Sequence, residues 1–426
     1  MYRRYSLRAE VGHMSQIVLS EDQEVAYNTI AKWLSDGGKV HPKQKNPQLL
    51  SLGGFAGTGK TTLVSTVAKE FGRAIRFAFC ALSGRAASVL GRKLQDQGLR
   101  FEDESHYCGT IHRLIYRPIE NEDGEIIFWA RKESLEYDVI VLDEASMVSE
   151  DIFRDLSSYG IDILAVGDHG QLPPIEGRFS LMSDPILRLE KIHRQAADNP
   201  IINLSMQVRE RGRIPRGYSN NSNITIIKKQ EYIDYLKGIY KGVEDPEEVL
   251  DTAVLCYKNA TRTKLNIMIR NMVFGNINPT PQTNDVVICL RNAVKDRKVP
   301  LYNGFRGYLV SGVSEFDENF WEGQIRFPYE GIETYVDNML KYQFGFQKTF
   351  SSFQELENFG MEVKHWNEVG LLFDYGYAMT VHKAQGSQMN NVVLFNERPA
   401  PVSEDNYRRW LYTAVSRAST NLVVIL

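Results

Sequence analysis

Three things are scarce in this sequence, and each scarcity narrows what the chain does. Cysteine occurs four times in 426 residues, as Cys80, Cys108, Cys256 and Cys289. These lie far apart with no C-x-x-C pair, the pattern of reduced thiols in a cytosolic protein. No run approaches the roughly 18 apolar residues that cross a bilayer, and the opening MYRRYSLRAE lacks the apolar stretch of a signal peptide. Net charge is small as well: 50 Lys and Arg against 53 Asp and Glu leave −3. No global basic field therefore advertises nucleic acid, and a polyanion would have to be gripped by a local groove. Internal repeats and low-complexity tracts are also missing.

What is present is a soluble-type composition, 43% apolar and 24% charged. The length implies about three structural units or more. Buried-type apolar runs alternate with helical patterns: LLSLGG then TTLVSTVAKEF, IRFAFCAL then GRAASVLGRKL, followed by YDVIVLDEA and IDILAVGD. That alternation predicts an α/β fold with a parallel sheet covered on both faces. Asp123-Gly124, between polar and β-favouring residues, predicts a hairpin inserted at about 113–136. A second alternation starts after residue 186 with TAVLCYK and NATRTKLNIMIRNMVFG. It resumes at the end with NNVVLFN, EDNYRRWLYTAVSRA and NLVVIL. Between these, residues 283–371 carry short β segments, glycine turns and many aromatics, which predicts a small β-rich insert. The expected units are thus 16–185, then 186–282 with 372–426, interrupted by 283–371.

The chemistry starts at GGFAGTGKTT. Gly54 to Thr61 fit G-x-x-x-x-G-K-[ST] in full, between a predicted strand and a predicted helix. Gly54, Gly57 and Gly59 let backbone N–H groups, with that of Thr58, approach phosphates, while the helix aims its positive end at them. Lys60 would reach the β and γ phosphates, and the Thr61 hydroxyl would ligate Mg²⁺, with Thr62 beside it. VIVLDEAS delivers Asp143 and Glu144 to the carboxyl edge of the sheet, where ligands collect in open α/β folds. Asp143 is the candidate Mg²⁺ ligand and Glu144 the group that polarises an attacking water. Read alone, the pair is equally a helix-capping acid pair; behind a phosphate loop it favours ATP hydrolysis. One strand later, Gln171 in AVGDHGQLPPI can bond a γ-phosphate or its water, and Pro173-Pro174 stiffens the loop.

In number and order these segments resemble the superfamily 1B DNA helicases of the phage Dda and bacterial RecD layout, over nearly the whole chain from Leu19. LSEDQ resembles the adenine-reading segment, ALSGRAA the segment usually written A-P-T-G-R-A-A, and GTIHRL the one after it. LDEASM and GDHGQLPPI are near-verbatim. IHRQ, YAMTVHKAQGSQ and LYTAVSRA match the motifs of the second domain. The resemblance implies two RecA-like P-loop NTPase domains, a β-hairpin insertion in the first and an SH3-like insertion in the second. It implies that Gln23 contacts the base, that Gly386 joins the ATP site, and that Arg194 and Arg417 come from the second domain. Leu82-Ser83 stands where the family has Pro-Thr, and Phe305 where a charged residue often follows Asn-Gly. The implied activity is ATP-dependent translocation 5′ to 3′ on single-stranded DNA with duplex unwinding, in the cytoplasm of a bacterial or phage-infected cell, in replication or repair. Alternatives are a translocase that strips proteins or remodels branched DNA, and a nucleotide-gated nucleic-acid-binding module.

Arginines of a second domain reach a γ-phosphate on the first only when the cleft closes, so hydrolysis becomes conditional on closure. Ser83, Thr110, Thr380 and His382 are short groups suited to phosphate oxygens along a single strand, with Arg85 and His112 beside them. Each hydroxyl is equally a helix cap, and each histidine equally a core residue. Phe128 and Trp129, just past the hairpin turn, either stack on a base at a duplex junction or anchor the hairpin. Lys60→Ala should abolish ATP hydrolysis in a chain that still folds; steady-state turnover beside a thermal melt checks it.

Overall fold

The computed structural model describes residues 19–37, 48–82, 84–101, 106–120, 126–173, 179–192, 199–215, 222–275, 278–291, 293, 301–361 and 369–426. Its first unit is a parallel sheet of β1 (Leu49–Gly54), β2 (Phe77–Ala81), β3 (Tyr107–Thr110), β6 (Val139–Leu142), β7 (Asp162–Gly167) and β8 (Leu187–Leu189). The spatial order is β3-β2-β6-β7-β1-β8. β1, β2, β6 and β7 are almost wholly buried, as expected of strands covered on both faces. One face packs on Leu63, Val67 and Leu90, the other on Ile111, Ile115 and Leu156.

β4 (Tyr116–Glu120) and β5 (Ile126–Arg131) form the antiparallel hairpin, in register from Tyr116 opposite Arg131. The pairing lies inside the expected span, and the Asp123-Gly124 turn lies outside the described residues.

The second unit is also parallel: β9 (Ile224–Ile227), β10 (Thr252–Cys256), β17 (Ala378–Thr380), β18 (Met389–Phe395) and β19 (Ala418–Ile425), in the order β17-β10-β18-β19-β9. Between β10 and β17 in sequence lies an antiparallel sheet of β11 (Val286–Cys289), β12 (Arg306–Leu309), β13 (Ser314–Glu315), β14 (Phe320–Phe327), β15 (Ile332–Leu340) and β16 (Phe373–Tyr375). Phe305, Phe327 and Phe373 fill its core, so these aromatics are packing. Among the described residues no helix is long and apolar enough to cross a membrane.

Two boundaries move. β8 pairs in parallel with β1, so the first unit extends past 185. Its three residues are too few for periodicity to reveal, and only Leu187 and Leu189 turn inward. β16 pairs antiparallel with β11, so the insert extends past 371 to close its own sheet.

Buried cations fix the insert to the second unit. Arg306 of β12 is 1% exposed and donates to the carbonyls of Gly376 (2.6 Å), Leu250 (2.7 Å) and Thr252 (2.9 Å). Helix Asn259–Phe274 supplies Arg262, paired with Asp374, and Arg270, whose Nε meets both oxygens of Asp285 at 2.8 and 2.9 Å. Asp285 also accepts from the Tyr377 hydroxyl at 2.7 Å. Removing one member of such a pair strands a buried charge, at a cost of about 3–5 kcal/mol. Asp285→Ala should therefore lower the urea midpoint of the second unit markedly, whereas Asp234→Ala, in an exposed pair, should leave it nearly unchanged; urea melts of both variants decide.

Candidate active site

The phosphate loop is shaped by its glycines. Gly57 and Gly59 have φ of +80° and +76°, which side chains with a Cβ rarely adopt. A Cβ on Gly54 would stand 2.6 Å from the Thr58 hydroxyl. Thr58 is fully buried and its hydroxyl donates to the Phe55 carbonyl at 2.9 Å, bracing the loop from within. Helix Lys60–Phe71 starts directly after Gly59, so its first N–H groups face the cleft. Lys60 Nζ lies over the loop, donating to the carbonyls of Gly54 (2.7 Å) and Phe55 (3.0 Å).

β6 delivers Asp143 and Glu144 beside this loop. Glu144 has φ of +52°, an uncommon left-handed backbone for a residue with a side chain, here at a functional turn. Burial raises both carboxyls above the usual carboxylate range, and the charge on Asp143 raises Glu144 further. The Lys60 ammonium pulls both back down, and the Arg417 guanidinium does the same for Glu144.

β7 ends at Gly167 and leads to Asp168 and Gln171. Asp168 is 2% exposed and accepts from Gly170 N at 2.9 Å and Gln171 Nε2 at 3.3 Å. The amide oxygen of Gln171 is buried, with no hydrogen-bond partner among the described residues.

The second unit forms the opposite wall. One cavity of about 420 Å³ is lined by Gly57, Gly59, Lys60, Thr61, Thr62, Asp143, Glu144 and Gln171 from the first sheet, and by Gly386, Ser387 and Arg417 from the second. Arg417 is 4% exposed, held by the carbonyls of Thr413 (3.1 Å) and Ser387 (3.1 Å). Gly386, at φ +72°, permits the turn beside it. The helix Gly84–Asp96 contributes Ala86, Val89, Leu90 and Lys93 to the same wall. Lys93 is a lining cation that motif reading misses, although the i, i+3, i+4, i+7 spacing of these four residues carries the signal.

Gln23, expected to contact the base, lies directly beneath the phosphate loop. It is 1% exposed, donates from Nε2 to the Thr58 carbonyl at 3.0 Å and accepts from Ser20 N at 3.1 Å. Its amide thus supports the phosphate loop from beneath and caps its own helix.

Thr110 ends β3 and Thr380 ends β17, and each of these is an edge strand of its sheet. Thr110 is 5% exposed and caps a short helix by accepting from Arg113 N; Thr380 likewise accepts from Lys383 N at 3.3 Å. His112 and His382 are half-buried beside Tyr116 and Tyr257, and burial lowers both imidazoles, which favours the neutral form. Ser83 and Arg194 lie outside the described residues, as do the side chains of Arg85, Phe128 and Trp129.

A phosphate loop, an acid pair and a glutamine on one parallel sheet, faced by an arginine from a second, define a two-domain P-loop protein of RecA-like architecture. Residues 40–231 match the family described as AAA domain, and residues 375–425 the UvrD-like helicase C-terminal domain. The chain is 25% identical over 389 residues to the ATP-dependent RecD2 DNA helicase of Deinococcus radiodurans, covering 87% of this chain and 46% of that protein. It thus spans under half of that relative's length. To the ATP-dependent DNA helicase dda of Enterobacteria phage T4 it is 22% identical over 462 residues, covering 94% of this chain and 97% of that one. A crystal structure of Pif1 helicase from Bacteroides, in complex with ADP-AlF3 and ssDNA, shares the fold at a TM-score of 0.51 and 19% identity, over 96% of this chain and 92% of that one. In sequence and layout the chain is similar to these RecD- and Dda-type helicases.

Glu144→Gln keeps the shape of the turn and removes the charge facing the cavity. Nucleotide binding should persist while turnover falls about 10²–10⁴-fold, the usual contribution of a positioned base. Fluorescent-nucleotide titration beside steady-state phosphate release reads both quantities.

Proposed function

We propose that the protein is an ATP-hydrolysing DNA helicase that translocates 5′ to 3′ along single-stranded DNA and opens duplex ahead of it. The observation that carries this reading is the composite cleft: Lys60 and Glu144 on one sheet, Arg417 on the other, lining a single cavity of about 420 Å³. Such a site is complete only when the two domains are engaged, so each hydrolysis cycle changes how they meet.

In this reading Lys60 and the N–H groups after Gly57 hold the β and γ phosphates. Glu144 orients the attacking water, and the unpartnered amide oxygen of Gln171 accepts from it. Arg417 neutralises charge that develops on the γ-phosphoryl group. Arg194 is assigned the same task on family resemblance. Thr61 and Asp143 are hard oxygen donors facing one cavity. Among the described residues no cluster of three or more His, Cys, Asp or Glu forms a metal cage. Both features fit Mg²⁺, which takes one or two protein oxygens and completes its shell with phosphates and water. Bound there, Mg²⁺ would supply charge neutralisation at the phosphates.

Single-stranded DNA is assigned to the ledge formed by the carboxyl ends of the two edge strands. Thr110, Thr380, His382 and the neighbouring Ser83 and Arg85 would contact the phosphodiester backbone there without reading bases. Phe128 and Trp129, on β5 of the hairpin, are assigned to the duplex junction.

Arg417→Ala should leave ATP affinity nearly intact and reduce DNA-stimulated turnover by about 10³-fold or more. Lysine should rescue poorly, lacking the planar fork. Polarity is read from duplexes carrying only a 5′ or only a 3′ tail, in DNA and RNA versions. Unwinding confined to the 5′-tailed DNA is expected. Unwinding from the 3′ tail alone would refute the direction, and unwinding of RNA alone the substrate.

A further inference from the structure

Helix Glu404–Val415 of the second domain ends shortly before Arg417, and its Tyr412 reaches across the cleft. The residue is fully buried. Its hydroxyl donates to Asp168 Oδ2 at 2.5 Å and accepts from the Ala56 N–H of the phosphate loop at 3.1 Å. A phenol can do both at once, which a carboxylate, an ammonium or a methyl cannot. Burial and the Asp168 carboxylate hold it protonated, so the donor is always available.

Asp168 in turn receives Gln171 Nε2 at 3.3 Å, which fixes the amide so that its free oxygen is the end left over for the reaction. The rest of the 168–172 loop is held from the same side. Leu172 N donates to Thr413 Oγ1 at 3.0 Å, Gln385 Nε2 to the Leu172 carbonyl at 2.9 Å, and Arg409 to the His169 carbonyl at 2.8 Å. The Tyr412 ring meets Phe55 edge-on at 6.2 Å, and the Arg209 guanidinium lies over the Phe55 ring at 3.3 Å. Tyr412 therefore joins three things: the backbone of the phosphate loop, the carboxylate that orients Gln171, and the helix that carries Arg417.

We propose that Tyr412 is a positioning residue for ATP hydrolysis, through which docking of the second domain sets the orientation of Gln171 by way of Asp168. The inference rests on the helicase reading above and deepens it. Withdrawal of helix Glu404–Val415 removes Arg417 and releases Gln171 together, so one movement disables two groups on opposite walls. Tyr412 touches no phosphate, since its hydroxyl is spent on Asp168 and Ala56.

The test compares wild type, Tyr412→Phe, Asp168→Asn and the double variant in steady-state ATP turnover with saturating single-stranded oligonucleotide, each with a thermal melt. Phenylalanine keeps the ring against Phe55 and removes only the hydroxyl. Tyr412→Phe should lower kcat about tenfold or more, as losing a hydrogen bond to a charged group does, with KM for ATP within about threefold. The double variant should be no worse than the poorer single, because both act through one orientation. A Tyr412→Phe kcat within twofold of wild type overturns the inference. So does a loss in which KM rises and the melting temperature falls in step, which marks a packing role alone. A wild-type chain with no DNA-stimulated turnover would sink the helicase reading and this inference with it, whereas an unaffected variant of a stimulated wild type sinks only the inference.

Discussion

The arrangement of this cleft depends on an apolar contact that crosses it. Phe55 of the phosphate loop and Leu172, just past Gln171, are each 5% exposed and pack into the core of the second domain beside Leu204 and Tyr412. Removing that surface from water favours the engaged state without fixing direction, and the polar contacts of Tyr412, Thr413, Gln385 and Arg409 supply the geometry. Lys60, Glu144 and Arg417 share one cavity because the two sheets are held at this seam.

The electrostatics follow from the same seam. Asp143 and Glu144 are crowded acids, and burial opposes their charge. Lys60 comes from their own domain, whereas Arg417 comes from the other. The ionisation of Glu144, and with it the capacity to polarise water, is therefore partly set by a residue that domain engagement delivers. A chain whose total charge is only −3 needs no global field for this; the cations Lys60, Lys93 and Arg417 line one cavity.

Much of this was legible in the sequence wherever function is written in contiguous residues. The phosphate loop, the acid pair after β6 and the glutamine after β7 each follow a buried strand, and the strand places them at the carboxyl edge. Thr110 and Thr380 were found as isolated hydroxyls; their common position at the ends of edge strands is visible only once strand order is known. The bond of the Gln23 amide to Thr58, 35 residues away, is likewise invisible to local reading. β8 and β16 were missed because three-residue strands have no period to detect. Phe55 and Tyr412 escaped notice for another reason: they sit 357 positions apart, with Ala56 and Tyr412 joined by a hydrogen bond spanning 356, and nothing local announces a contact made by tertiary folding.

The buried cations that fix the insert to the second domain give that domain an arm. At its far side the arm touches the first domain again: Tyr302 and Phe305 close on Gly84, where a Cβ would stand 2.7 Å from the Tyr302 ring and 3.1 Å from Phe305. The two domains thus meet at two separated points, the nucleotide seam and Gly84. Rotation about the nucleotide seam would therefore also change the fit at Gly84. Hydrogen, the smallest side chain available, is what allows the arm to seat. A methyl group there would act as a shim, felt at the nucleotide without ever touching it.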